Sequence, residues 1–150
     1  MATLIPSLQK ILLQKVKPEE GELHLLKFLD KELDDSFEVY FNPYMNGDRP
    51  DIVVMKKDQG VLIIEVKDYH LDKYELDERK NFVVKSTKAK TYKSPISQVL
   101  KYRDNLFDLH IESLLERKIV NIKNFNIVSC AVYFHNAHSN QINQLLVEPF

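Results

Sequence analysis

The run Val61-Leu62-Ile63-Ile64 is apolar at every position and stops on Glu65. A strand with one solvated face alternates apolar and polar residues, so an unbroken run of this kind belongs to a central strand covered on both faces. A second apolar run, Ile52-Val53-Val54-Met55, precedes it across the turn signal Asp58-Gln59-Gly60. Together they read as a β-hairpin, with strands at about 51 to 57 and 61 to 68. Asp51, Glu65 and Lys67 stand at the end of the hairpin away from the turn.

Whether those three charges meet depends on register. A three-residue loop, Asp58 to Gly60 with Gly60 left-handed, pairs Lys57 with Val61, Val53 with Glu65 and Asp51 with Lys67. Side chains alternate faces, so Asp51, Glu65 and Lys67 then share one face; a two-residue loop would turn Asp51 to the other. A buried charge is costly unless it is paired or metal-bound. Two convergent carboxylates and an ammonium are the equipment of a metal-assisted hydrolase, and the plain alternative is a surface ion pair worth under ~1 kcal/mol. In the first case Asp51, Glu65 and the carbonyl of Val66 could hold Mg²⁺ or Mn²⁺. Lys67 would orient or deprotonate a water, or stabilise the pentavalent phosphorus.

The rest of the chain supplies the cover. Pro18-Glu19-Glu20 opens a helix predicted over 18 to 34, with Leu25, Leu29 and Leu33 on its core stripe and Glu22 in line at the N-terminal end. There Glu22 is either a solvated rim residue or part of a site. Residues 1 to 17 read as an arm or short helix, with Leu12, Leu13 and Val16 able to dock, and Phe37 to Phe41 as a strand. Leu71 to Glu78 and Asn81 to Ser86 predict a second, more exposed hairpin. Ser94-Pro95 reads as cap and first position of a helix over 95 to 117, and 126 to 134 as a buried strand. A last helix starts near 140. Residues 18 to 150 then form one domain, expected to be a piece of a longer protein.

Composition excludes several classes. At 150 residues, 44% apolar and 29% charged, the chain is that of a soluble globular domain. No apolar run approaches the ~20 residues that cross a bilayer, and with no basic region before a long hydrophobic segment a secretory signal is not expected. One cysteine, Cys130, forms no internal disulfide and suits a reducing cytoplasm. Three glycines leave no phosphate loop for a nucleotide-hydrolysing site. His135 and His138 are too few for a soft-metal site. From Arg79 to Arg103 there are eight basic residues and no acidic one, in a chain of net charge −1. A domain so polarised can hold a polyanion on one side. The binding residues would be Lys85, Lys88, Lys90, Tyr92 and Lys93, joined by Lys101, Tyr102 and Arg103 on the helix. Gln98 and Tyr102 lie one turn apart on one helix face.

In combination these elements resemble a known pattern. Pro50-Asp51 followed by Glu65-Val66-Lys67 resembles the PD-(D/E)xK nuclease motif, and Gln98 to Tyr102 the QxxxY element of RecB-type nuclease domains. With Gly21-Glu22 and Ser94-Pro95-Ile96-Ser97-Gln98, the order is similar to that of the nuclease-related domain (NERD) family over about residues 18 to 135. The resemblance implies an α/β, restriction-endonuclease-like core: a mixed central sheet of four strands flanked by helices. It implies a DNA nuclease (RNA being possible) with Mg²⁺ on Asp51 and Glu65, catalysis by Lys67, and support from Glu22 and Gln98. Such domains are often joined to a helicase or another ATPase. The rival reading is a non-catalytic nucleic-acid-binding or assembly module that retains the fold.

Overall fold

The computed structural model describes residues 1–86, 91–106 and 127–147. Among the described residues, eight strands and four α-helices follow one another: β1 (Thr3–Ile5), α1 (Leu8–Leu12), α2 (Glu20–Glu32), β2 (Phe37–Phe41), β3 (Ile52–Lys56) and β4 (Gly60–Lys67), then β5 (Tyr74–Leu76), β6 (Phe82–Val84), β7 (Thr91–Tyr92), α3 (Pro95–Asn105), β8 (Val128–Phe134) and α4 (Ser139–Ile142), which runs into a π-helical turn, Asn143–Val147. The main sheet has the order β1-β2-β3-β4-β8, antiparallel across β2-β3-β4 and parallel at both edges. The fold is α/β with a mixed central sheet flanked by helices, as expected.

Five strands stand where four were expected. Residues 1 to 17, read as an arm or short helix, begin with a strand that pairs Thr3 with Glu38 and Ile5 with Tyr40. The helix that follows docks through Ile11, while Leu12, Leu13 and Val16 stay exposed. The α2 stripe does bury Leu25 and Leu29, with Leu26 beside them.

Strand alternation explains the two-sided core. Ile52, Val54, Ile64 and Val66 face α2, whereas Val53 and Ile63 face Val99 and Leu106 of the α3 side. Each fully buried aliphatic side chain contributes ~1.5–3 kcal/mol, so β4 is anchored from both faces up to its last turn of pleat. A site built at its end stands on rigid backbone.

The hairpin turn is one residue displaced from the expected one. Lys56 pairs with Gly60 and Ile52 with Ile64, so the loop is Lys57-Asp58-Gln59, closed by Gln59 N–H donating to Lys56 O (3.1 Å). Asp58 takes the left-handed position (φ 61°), which aspartate tolerates. Gly60 has φ 151° and is needed for a second reason: a Cβ there would lie 2.4 Å from Ile127 O, where the chain joins β8. Moving a three-residue loop by one position shifts the pairing by two. Parity is kept, and Asp51 falls opposite Glu65 instead of Lys67.

The expected second hairpin is a three-stranded sheet, β5-β6-β7. It is less exposed than expected, because Phe82 (0% exposed) and Leu71 (3%) pack with Phe134 into a small core of their own. The predicted helix over 95 to 117 is seen as α3 to Asn105, with Leu106 at its C-cap; residues 107 to 117 lie outside the described residues. Ser94 occupies the cap position with Pro95 after it, but its side chain makes no cap bond, and its carbonyl accepts from Gln98 N–H (3.0 Å).

Candidate active site

The three charged residues of the hairpin converge. Lys67 Nζ lies 2.9 Å from Glu65 Oε1, and Val66 N–H donates to Asp51 Oδ2 at 2.8 Å. That bond holds Asp51, just before β3, against the end of β4. Lys67 O accepts from His135 N–H on the β8 side (3.0 Å), so Val66 points its N–H, and with it its carbonyl, to the Asp51 side.

Glu65 is 2% exposed, and its Oε2 receives no hydrogen bond from any described residue. Burial pushes its carboxyl up to about 7, with repulsion from Asp51 adding to the shift and Lys67 opposing it. Burial also raises Asp51, against the pull of Val66 N–H and Lys67. Burial alone would lower the Lys67 ammonium, but its bond to Glu65 and the carboxylate charges leave it raised. The protein thus keeps a charged lysine beside two carboxyls that burial, more than their mutual repulsion, makes harder to ionise. Clustering of this kind is a mark of functional sites.

Glu22 reaches the neighbourhood from the α2 side. Its carboxylate accepts from Glu19 N–H (2.8 Å), closing a reciprocal capping box with Glu19 at the helix start. Its local structural work is therefore defined. Burial raises its pKa, and the Asp51, Glu19 and Asp68 charges add to that. Among the described residues, no three His, Cys, Asp or Glu side chains converge on one metal position. The sheet end instead offers two carboxylates on one face, with Glu22 approaching from the other.

From the α3 face come Gln98 and Tyr102, joined by Gln98 Nε2 donating to Tyr102 Oη (3.0 Å). Burial raises the Tyr102 phenol, and after the lowering bond from Gln98 the Glu65, Asp51 and Asp48 charges raise it further. Asp48, 8% exposed, accepts from Asn105 Nδ2 at 2.8 Å. Residues 98, 102 and 105 follow a helical i, i+4, i+7 stripe laid along the acidic end of the sheet.

The nuclease-related domain (NERD) family matches residues 17–135. The chain belongs to that family. No curated protein and no solved structure matches it. The nuclease-related domain carries the expected order of elements, with Pro50-Asp51 before β3 and Glu65-Val66-Lys67 closing β4.

Gly21 explains why α2 can reach the site in this nuclease-related domain. A Cβ at that position would lie 2.2 Å from Asp68 Oδ1, 2.8 Å from His135 Cβ and 3.1 Å from Val66 Cγ1. Gly21 N–H donates to Asp68 Oδ2 (3.3 Å), tying the helix start to the residue after β4. Sequence reasoning missed Asp68, Asp48 and Asn105. For Asn105 a signal existed, since it extends the Gln98–Tyr102 stripe by one turn; Asp68 carried none.

Lys85, Lys93 and Lys101 are exposed, Arg103 Nε lies 3.5 Å from Asp104 Oδ1, and Lys88 and Lys90 fall outside the described residues. Two further cations, Lys17 and Arg49, rim a cleft of about 700 Å³ that opens beside Glu22. The histidines do not form a metal pair: His135 Nδ1 meets Tyr133 Oη (3.0 Å), its Nε2 lies 3.6 Å from Glu20 Oε1, and His138 begins α4. Cys130 Sγ lies 3.6 Å from Val99 O, and burial raises its thiol, which does not suit a nucleophile. No described helix is long and apolar enough to cross a membrane.

Proposed function

We propose that this nuclease-related domain hydrolyses DNA phosphodiester bonds with a divalent cation, Mg²⁺ or Mn²⁺, RNA being the other polymer of the same chemistry. The observation that carries the reading is Glu65: a carboxylate 2% exposed, bound to Lys67 through one oxygen and with no protein donor among the described residues on the other. Mg²⁺ is commonly held by one or two carboxylates together with waters and substrate phosphates, so a site with no third side chain fits it.

Asp51, Glu65 and the Val66 carbonyl would hold the ion. When bound it would supply an acidified water and neutralise charge on the phosphodiester. The remaining work falls to the chain. The Val66 N–H holds Asp51 in place. Lys67, ion-paired and fully charged, would stabilise the negative phosphate oxygens as they crowd around phosphorus, or orient the attacking water through its remaining protons. Gln98 and Tyr102 would offer polar atoms to the phosphate from the α3 side. Glu22, spent on its capping box, would act through its charge and not by direct contact. A helicase or another ATPase in the same polypeptide would supply the strand.

Incubation of the protein with plasmid and single-stranded DNA, in Mg²⁺, Mn²⁺ or EDTA, tests the reading. Cleavage should require the cation and disappear in Glu65→Gln and Lys67→Ala variants whose circular dichroism is unchanged. Undiminished cleavage by both variants overturns it. A second reading, a non-catalytic nucleic-acid-binding module, is favoured by the exposed cations Lys85, Lys93 and Lys101. Calorimetric titration with Mn²⁺ separates the two: binding that is lost in Glu65→Gln supports the nuclease, and no binding at millimolar ion supports the module.

A further inference from the structure

Lys67 has a second neighbour besides Glu65. Its Nζ lies 5.9 Å from the centre of the Tyr69 ring. Tyr69 stacks on Tyr74, centroids 4.9 Å apart and planes at 21°, and Tyr92 closes the group at 6.1 Å from Tyr69 and 6.3 Å from Tyr74. Beneath them lies Phe82, 0% exposed and 6.0 Å from both Tyr69 and Tyr74. The β6–β7 register sets Tyr92 opposite Phe82, so its ring stands on the same face of the small sheet. The result is an aromatic tract that starts at Lys67 and ends on the edge strand β7, where Tyr92 is 37% exposed.

We propose that Tyr69, Tyr74 and Tyr92 form a stacking platform for unpaired bases, so that the polynucleotide held beside Lys67 is single-stranded. The proposal deepens the nuclease reading and rests on it for the phosphate position at Lys67. Phenylalanine or leucine would cover Phe82 as well as tyrosine does. Instead three tyrosines stand there, Tyr69 and Tyr74 half-buried and Tyr92 exposed at the edge. A part-exposed aromatic ring can stack on a base without needing a sequence-specific contact. Duplex bases are already stacked on one another, so only an unpaired strand can use such a surface. Cations are at hand among the described residues: Lys85 after β6, Lys93 after β7 and Lys101 in α3 are exposed. Phosphates would lie against these cations while bases lie on the tyrosines.

The test is fluorescence-anisotropy titration of the whole chain in EDTA, with three labelled probes of equal length: oligo(dT), an abasic strand and a duplex. Oligo(dT) should bind at least about tenfold more tightly than either other probe. Tyr92→Ala should lose about tenfold on oligo(dT) and nothing on the abasic strand, while Tyr92→Phe, which keeps the ring, should bind as wild type. Equal binding of oligo(dT) and duplex, or of oligo(dT) and the abasic strand, overturns the proposal. So does a Tyr92→Ala loss that is the same on both single strands. If Tyr92→Ala disturbs the small sheet, the wild-type comparison of oligo(dT) with the abasic strand still decides. Stacking-dependent binding without cation-dependent cleavage would remove the nuclease reading alone; cleavage without base dependence would remove the platform alone.

Discussion

Substituting Glu65 by glutamine should make the metal-free protein more stable at alkaline pH while destroying its site. In the wild type, burial and Asp51 raise the Glu65 carboxyl from 4.5 to about 7. A carboxyl raised on folding contributes stability that is fully present below its unfolded value and lost as pH climbs through the folded one. Each unit is worth ~1.4 kcal/mol, so the whole interval amounts to about 3 kcal/mol, of which about 2 kcal/mol falls between about pH 5.5 and 8.5. Glutamine has the same shape and does not ionise. Its carbonyl can keep the Lys67 bond, and its amide can donate toward Asp51 in place of a repelling oxygen. Urea unfolding followed by circular dichroism in EDTA should therefore show the wild type losing about 2 kcal/mol relative to Glu65→Gln across that range. Added Mg²⁺ should restore the wild type at about pH 8.5, because a ligand that binds only the folded state stabilises it, and should leave the variant unchanged. Parallel pH profiles for the two proteins would refute the reasoning, since Glu65 would then titrate alike in both states.

Two further substitutions probe the same corner. Gly21→Ala should cost about 1–3 kcal/mol by overpacking α2 against Asp68, His135 and Val66, read as a lower urea midpoint, with an unshifted midpoint showing that the helix start can give way. Lys67→Met removes the partner of a buried charge and should cost up to about 3–5 kcal/mol above the Glu65 titration but much less near about pH 5, where Glu65 is protonated; a pH-independent loss in thermal or urea melts would contradict this.

Much of the fold can be read from the chain because it follows from short-range pattern. The unbroken run at Val61–Ile64 demanded two-sided cover, and Phe37–Phe41 is a strand at the expected bounds. The stripe Leu25/Leu29 buries as its spacing requires. The shared face of Asp51, Glu65 and Lys67 is kept although the turn sits one residue from its expected place, because side-chain parity depends on loop length and not on where the loop sits. What was misread has the opposite character. Thr3–Ile5 has no alternation of its own and becomes a strand only because β2 offers an open edge. The hairpin after Leu71 looked exposed because Phe82 finds its cover on Phe134, far along the chain.

The site divides along the same line. Sequence alone determined which charged residues stand at the end of β4 and that they share a face, because the period of a strand is two residues and a three-residue loop preserves it. Only the tertiary structure decided what those charges experience. That Glu65 is sealed from water, that Gly21 lets α2 rest on Asp68, and that Tyr74 and Tyr92 gather on Tyr69 next to Lys67 are consequences of contacts between distant segments. Burial and proximity set a carboxyl's pKa and a ring's accessibility, and neither has a period that can be read along a chain.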